Sequence, residues 1–343
     1  MRMRLVATWL AAALALACGR GETSGPGAAI RIGHFPNVTH AQALYGRATG
    51  SFAKTVGAPI AWTQFNAGPS AVEALFVGAV DASYLGPNPA INGFIRSQGR
   101  SFVIVAGAAS GGAALVVRAD AGIRGETDFH GKTVATPQLG NTQDVAARLW
   151  FAARGYTTRE RGGDLTILPL ANPDQLLMFG KRQIDAAWTV EPWVSRLEIE
   201  GGGRVLFDEK QLWPDGRYVT ALLVVRRAFL AEHRDVVVRL LAAHVEATRA
   251  MAADLDAAAG LLAAEITRET AARMPAAIVR SALGRIELGW DPLTAALGKA
   301  AADAHRVGFL HAAPDLTGIV EAGPLAEVLA AKGLPPLPPG RRP

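Results

Sequence analysis

Four short stretches concentrate the residues from which this chain could build a site: Phe35 to His40, Gly86 to Asn88, Pro137 to Thr142 and Thr189 to Trp193. Their chemistry is that of binding rather than bond-breaking. They offer Asn, Thr, Gln and Gly, with one histidine, one carboxylate and no Lys or Arg. Asn37 with Thr39, and Asn141 with Thr142, are residue types that cap helices, each cap contributing about 1 kcal/mol; facing a cleft, the same groups would hydrogen-bond an anion. Gly140 lets the backbone before Asn141 approach such an anion closely. Trp188, just before the last stretch, is either core or a wall for an apolar ligand body. Glu191 would repel a neighbouring anion, so it either caps the helix opened by Pro192 or meets a cationic group. His40, at a helix N-terminus, has its neutral form favoured and could donate one hydrogen bond to an anion, or lie on the surface. His34, His40 and Glu191 lack the helical i,i+4 pairing that would support a metal, and Arg118, Lys132 and Arg148 read as solvated faces. No Ser-His-Asp order, Gly-x-Ser-x-Gly elbow or phosphate loop appears, and Cys18 is the only cysteine.

The elements that must position these loops alternate between β-like and helical patterns, the signature of an α/β fold. Strands are expected at Ile30 to Gly33, Ala82 to Leu85, Phe102 to Ala106, Ala114 to Arg118, Thr133 to Thr136, Ala186 to Trp188 and Val219 to Val225. Helices are expected from about Thr39, Pro69, Pro89, Thr142, Asn172 and Pro192. Asn172 reads as a cap, and the stretch from Ala228 to Val328 reads as helical. Val80-Asp81-Ala82-Ser83-Tyr84 resembles Ile184-Asp185-Ala186-Ala187-Trp188, and Ile32 to Leu44 resembles Val134 to Ala146. Two matches in the same order imply two lobes built alike. Ligands of open parallel sheets bind beyond the carboxyl ends of the strands, where all four loops would meet. The chain is expected to enter the second lobe near Val117 and return near Thr220, so that two crossings form a hinge. Residues 29–116 and 220–331 then make lobe one, the second part helical, and 117–219 make lobe two. The Pro-rich tail 332–343 is expected to be disordered.

Length and composition agree with this plan. The 343 residues suit two compact lobes, half are hydrophobic and 19% are charged, which is globular. The formal charge of +5 is spread without a basic run, so a nucleic-acid partner is not expected. Arg2 and Arg4 precede an apolar run from Leu5 to Ala17, too short for a membrane span of about 20 residues and right for a secretory signal. Leu14-Ala15-Leu16-Ala17-Cys18 resembles a bacterial lipobox, with Ala15 where Leu is usual. Residues 1–17 are therefore expected to be removed, Cys18 to be lipidated, and 18–28 to be a flexible tether. That places the protein outside the cytoplasm, held to a membrane.

Several motifs, in this order, resemble the sulfonate/nitrate/taurine group of ABC-transporter solute-binding proteins. They are Phe65-Asn66-Ala67-Gly68-Pro69, Glu73-Ala74-Leu75, Val77-Gly78-Ala79-Val80-Asp81, Leu85-Gly86-Pro87, Phe129 to Ala135, and Ile184 to Trp188 with Glu191-Pro192-Trp193. The resemblance covers most of Ile30 to Leu310. It implies a periplasmic-binding-protein type II fold, two α/β lobes joined by a two-strand hinge around a ligand cleft. It also implies a binding protein rather than an enzyme, without a cofactor, a monomer that delivers a small solute to permease subunits. Carried over position by position, it places Asn37, Thr39 and His40 on the first helix entrance and Gly86 and Asn88 on the second. Gln138, Gly140, Asn141 and Thr142 fall on the third, and Trp188 and Glu191 on the last. An organosulfonate would take Phe35 and Trp188 as apolar walls. Nitrate or bicarbonate would need a smaller, more charged pocket. A thiamine-precursor-like heterocycle would use Trp188 and Glu191, and a sensory lobe without transport is the alternative of another class. Desulfinases of the same fold use a cysteine nucleophile, which this chain lacks outside its leader.

Overall fold

The computed structural model describes residues 30–338; Cys18, the leader and the tether lie outside them. The first sheet takes β1 (Ile30–His34), β2 (Ile60–Gln64), β3 (Ala82–Leu85), β4 (Phe102–Gly111), β10 (Val219–Arg226) and β11 (Ile286–Leu288), in the order β11-β4-β10-β3-β1-β2. The second takes β5 (Ala113–Arg118), β6 (Thr133–Thr136), β7 (Thr166–Pro169), β8 (Ala186–Val190) and β9 (Gly203–Asp208), in the order β7-β6-β8-β5-β9. Each sheet holds three parallel strands flanked by an antiparallel one. β2-β1-β3 meets β10, and β7-β6-β8 meets β5. The two sequence repeats therefore occupy matching places, β1 with β6 and β3 with β8.

The central strands are near-continuous apolar runs because helices cover both faces of each sheet. In β4, Phe102 to Ser110 are all buried, and in β10 Val219 to Val225 are. Beneath the first sheet the helix Arg234–Ala253 buries Val237, Leu240, Leu241 and Val245, while the helix Leu255–Thr270 packs with Ala276–Leu283 around Leu262 and Ile266. The region from Ala228 onward is helical apart from β11 and an irregular segment between the helices Thr294–Arg306 and Gly323–Ala331. The tail is not wholly free of the fold: Leu334 and Leu337 pack against the first-lobe core. Among the described residues no helix is long and apolar enough to cross a membrane.

The crossing between lobes lies at Gly111–Gly112, a few residues before Val117, because β5 pairs along its whole length with β8 and β9. Both glycines have positive φ, 79° and 80°, and a Cβ at Gly111 would lie 2.8 Å from the Arg285 carbonyl oxygen. Only glycine takes that conformation in that space without strain. The returning chain is tied to the outgoing one, with Thr220 Oγ1 donating to Gly111 O at 2.6 Å and Ala113 N to Tyr218 Oη at 3.1 Å.

Candidate ligand-binding cleft

Helix starts from both lobes converge on a narrow cavity of about 30 Å³ between the sheets. From the first lobe come Asn37 ahead of the helical turn Val38–His40, Gly68 opening the helix Gly68–Phe76, and Gly86 ahead of the helix Pro87–Arg96. The second lobe supplies Asn141, Thr142 and Gln143 at the start of the helix Thr142–Ala153, and Asn172 opening Asn172–Gly180. Unpaired N–H groups and positive dipole ends at helix starts favour an anion. Among the described residues no Lys or Arg lines this cavity, so the polar groups it offers are neutral.

Of the residues expected at the site, Phe35, Asn37, Thr39, His40, Gly86, Asn141 and Thr142 line the cavity. Asn141 Oδ1 accepts from Asp144 N at 2.8 Å, so this residue does cap its helix. Asp144 is fully buried and holds the loop from beneath, accepting from Thr136 Oγ1 at 2.9 Å and from Gly140 N at 3.0 Å. Gly140 has φ +74°, as a tight turn requires, but its N–H is spent on Asp144 rather than free for a ligand. Thr142 Oγ1 is buried in the cavity without a partner among the described residues. His40 is buried, not on the surface; its Nδ1 accepts from Phe35 N at 3.2 Å, which leaves the proton on Nε2. Its ring stacks on Phe35 at 4.3 Å. Burial, with His34 nearby, holds its pKa well below the ordinary value, so neutrality here comes from desolvation rather than from the helix dipole.

The other expected residues sit elsewhere. Trp188 is no cleft wall: β8 runs two residues further than expected, to Val190, which puts Trp188 inside the strand and in the second-lobe core against Trp150 and Phe207. Glu191 is fully buried outside the cavity; Pro192 takes the N-cap position of the helix Trp193–Ile199, and Glu191 ties down its first turn from one residue before, accepting from Ser195 N at 3.1 Å and Ser195 Oγ at 3.0 Å, with Arg285 3.5 Å away. Gln138 Nε2 donates to Ser70 Oγ at 3.3 Å, from one lobe to the other. Asn88 faces a side chamber and donates to Ala300 O at 3.4 Å. Asn172 is not a cap but accepts from Thr189 Oγ1 at 2.9 Å, Ala171 taking the N-cap position. Among the cavity residues that the sequence reading missed are Asn66, Gly68, Gln143, Asn172 and Thr220. The signal was present for the first two, since Pro69 marks a helix start on the same side of the first sheet. Arg148, read as a solvated face, binds the buried Asp144 at 3.0 Å.

The lobes are closed on each other. Trp193 Nε1 donates to Asn37 Oδ1 at 2.9 Å with both residues buried, and Arg285 Nη2 meets Glu198 Oε2 at 2.6 Å.

Two buried acids sit beside the cleft rather than in it. Burial raises the carboxyl pKa of both Glu191 and Glu209 to about 7, against the donors that each accepts from. A carboxyl raised in this way keeps its proton in the folded state while the unfolded chain has lost it. Its contribution to stability is therefore full below pH of about 4.5 and is lost as pH rises through 7. His244, lowered by burial to about 4, has the opposite slope, its contribution being lost as pH falls through that value. The expected result is read as a difference: Glu209→Gln removes one titration, so its unfolding free energy relative to wild type should rise between pH 5 and 8, by at most about 3 kcal/mol, with its relative melting temperature rising in step. A pH-independent difference in thermal melts would contradict the buried-acid assignment.

The fold and cleft together define a two-lobed ligand-binding protein of the periplasmic-binding-protein fold. The chain belongs to the NMT1-like family, whose model matches residues 24–267. It is similar to the taurine-binding periplasmic protein of Escherichia coli, 28% identical over 210 residues that are 61% of this chain and 63% of that one. It is also similar to a putative aliphatic sulfonates-binding protein of Bacillus subtilis, 26% identical over 60% of this chain and 59% of that one. The matched stretches thus span just under two thirds of these relatives. Among solved structures, the alkanesulfonate-binding protein SsuA from Xanthomonas axonopodis pv. citri bound to MOPS superposes with a TM-score of 0.72 at 22% identity, covering 86% of this chain and 99% of that one. The periplasmic nitrate-binding protein NrtA of Synechocystis superposes with 0.73 at 15% identity, covering 90% of each.

Proposed function

We propose that this protein is the extracytoplasmic solute-binding component of an ABC importer and captures a small organosulfonate-type anion by lobe closure. One observation carries the reading: helix starts from both lobes, with a Thr142 hydroxyl that has no partner among the described residues, surround a cavity that no Lys or Arg of those residues lines. A sulfonate, singly charged with three acceptor oxygens, suits several neutral donors arranged around it. The relatives named for taurine and aliphatic sulfonates support the same class. Cleavage of the leader and lipidation at Cys18 would tether the closed protein beside a permease. In this reading it is a binding protein, as its named relatives are, rather than an enzyme.

The narrowness of the central cavity favours a second reading, nitrate or bicarbonate. The heterocycle reading loses both residues it used, because Trp188 and Glu191 lie outside the cavity. A thermal-shift and calorimetric panel on the chain from Gly19 separates these: alkanesulfonates and taurine against nitrate and bicarbonate. Thr142→Ala should lower sulfonate affinity about 10- to 100-fold, the worth of a hydrogen bond to a charged group. Its melting temperature should stay within about 2 °C of wild type, because Oγ1 has no protein partner to lose. Asn141→Ala should cost about 1 kcal/mol of stability as well, through the lost cap. Unchanged affinity in Thr142→Ala would remove the cleft from consideration.

A further inference from the structure

A groove of about 420 Å³ lies beside the return crossing, away from the ligand cleft. One wall is Trp213, Pro214, Asp215 and Arg217, on the segment that leads from β9 of the second sheet to β10 of the first. The other is Asp291 and Leu293 with the start of the helix Thr294–Arg306. Pro338, the last described residue, completes it. The path of the tail to this point is fixed. Lys332 Nζ meets Glu246 Oε1 at 2.5 Å, Leu334 N donates to Leu329 O at 2.9 Å, and Leu334 and Leu337 join Trp290 against the first-lobe core. Trp290 also lines a neighbouring cavity of about 260 Å³ that shares Arg217, Asp291 and Leu293 with the groove. The tail thus leaves the core directly into the groove, stiffened by Pro335, Pro336 and Pro338.

The charges of the groove are unevenly matched. Its two cations are occupied: Arg217 Nη2 meets Glu287 Oε1 at 3.2 Å, and Lys299 Nζ meets Asp303 Oδ2 at 2.5 Å while lying over the Trp213 ring. Its two acids, Asp215 and Asp291, form no ion pair among the described residues. Asp291 accepts from Leu293 N at 2.9 Å, and Asp215 is exposed on a turn with φ +56°. Beyond Pro338 the chain reads Pro339-Gly340-Arg341-Arg342-Pro343, outside the described residues, and brings two cations for these two acids. At about 3.1 Å per residue for an extended proline-rich chain, both arginines fall within roughly 13 Å of Pro338.

We infer that Arg341 and Arg342 dock in this groove against Asp215 and Asp291, so that the tail straps the segment between the two sheets to the first lobe. Guanidinium groups suit the task, because each can meet a carboxylate through two parallel hydrogen bonds. The strap bears on the hinge. Asp215 lies three residues before Tyr218, whose hydroxyl accepts from Ala113 N next to the Gly111–Gly112 crossing. Holding Asp215 to the first lobe therefore restrains the swing that separates the lobes. The inference is independent of which solute the cleft takes.

The test uses the chain from Gly19, which has no cysteine of its own. Pro343→Cys is paired with Ala295→Cys on one wall of the groove, or with Pro214→Cys on the other, both exposed positions. Each pair should close an intramolecular disulfide under mild oxidation, read by mass spectrometry. Adding Asp215→Asn and Asp291→Asn should slow closure about 2- to 30-fold, the worth of two surface ion pairs. Asparagine keeps an acceptor for Leu293 N and tolerates positive φ, so the groove itself is preserved. Salt at about 0.5 M should slow the pair with intact acids in the same way. A closure rate indifferent to salt and to both substitutions would mean a tail that is tethered nearby and never docks, which overturns the inference. So would failure of either pair to close, which leaves the groove to a small cation or to a segment of the permease. For the strap itself, small-angle scattering of the empty protein ending at Pro338 should give a larger radius than the full chain. An unchanged radius would show a docked tail that restrains nothing, and overturns the bearing on the hinge.

Discussion

Gly86→Ala should cost most of the ligand affinity while leaving the fold close to wild-type stability. Gly86 has φ −76° and ψ 163°, extended geometry that alanine adopts freely, so no backbone strain follows from the change. The penalty lies across the cleft. A Cβ at this position would fall 2.4 Å from Thr142 Oγ1 and 3.4 Å from Thr142 Cβ, on the opposite lobe. With the lobes apart the methyl meets only the Thr220 carbonyl oxygen, at an ordinary 3.6 Å; with them closed, the side chain that would hold the anion must move. Overpacking of this kind costs about 1–3 kcal/mol, which in a closed complex reads as roughly 5- to 150-fold weaker binding. Calorimetry with a sulfonate and a thermal melt of the empty protein measure the two effects separately. A double variant with Thr142→Ala should bind about as well as Thr142→Ala alone, because the clash and the contact belong to one atom. Additive losses would show that Gly86 acts in some other way.

The strands legible in the sequence were the seven central ones, and the four missed were the four edges: β2, β7, β9 and β11. The reason is physical. A strand buried on both faces, such as β4, is a continuous apolar run, whereas β2 reads Ile-Ala-Trp-Thr-Gln with every residue at least partly exposed. The internal repeat was informative because it fixed the two parallel cores and hence which loops face each other. It failed at Trp188 for want of strand length: two more residues in β8 turn a strand end into strand interior. Thr142 and Asn141 could be placed from the cap pattern alone. Glu209 could not, because a carboxylate in a short helical turn after an edge strand carries no sequence mark of burial; only packing under Trp188 makes it one.

Trp193→Phe should shift the lobes toward the open form and weaken binding by about 5- to 150-fold. Trp193, on the second lobe, donates its indole N–H to Asn37 Oδ1 at 2.9 Å, on the first, and both are buried when the lobes meet. Phenylalanine keeps most of the apolar contact and loses the donor. In the closed form Asn37 would then hold a buried, unpaired carbonyl, a cost of about 1–3 kcal/mol; in the open form water satisfies it. The whole penalty therefore falls on closure, and the apparent affinity drops by the same factor. Asn37 also lines the cavity, so Asn37→Ala would remove a cleft residue together with the latch, while Trp193→Phe touches the latch alone. Small-angle scattering of the empty variant should show a larger radius than wild type, with saturating sulfonate restoring the compact form. A variant that closes as tightly as wild type would show that the Gly111–Gly112 crossing, not the latch, sets the resting position of the lobes.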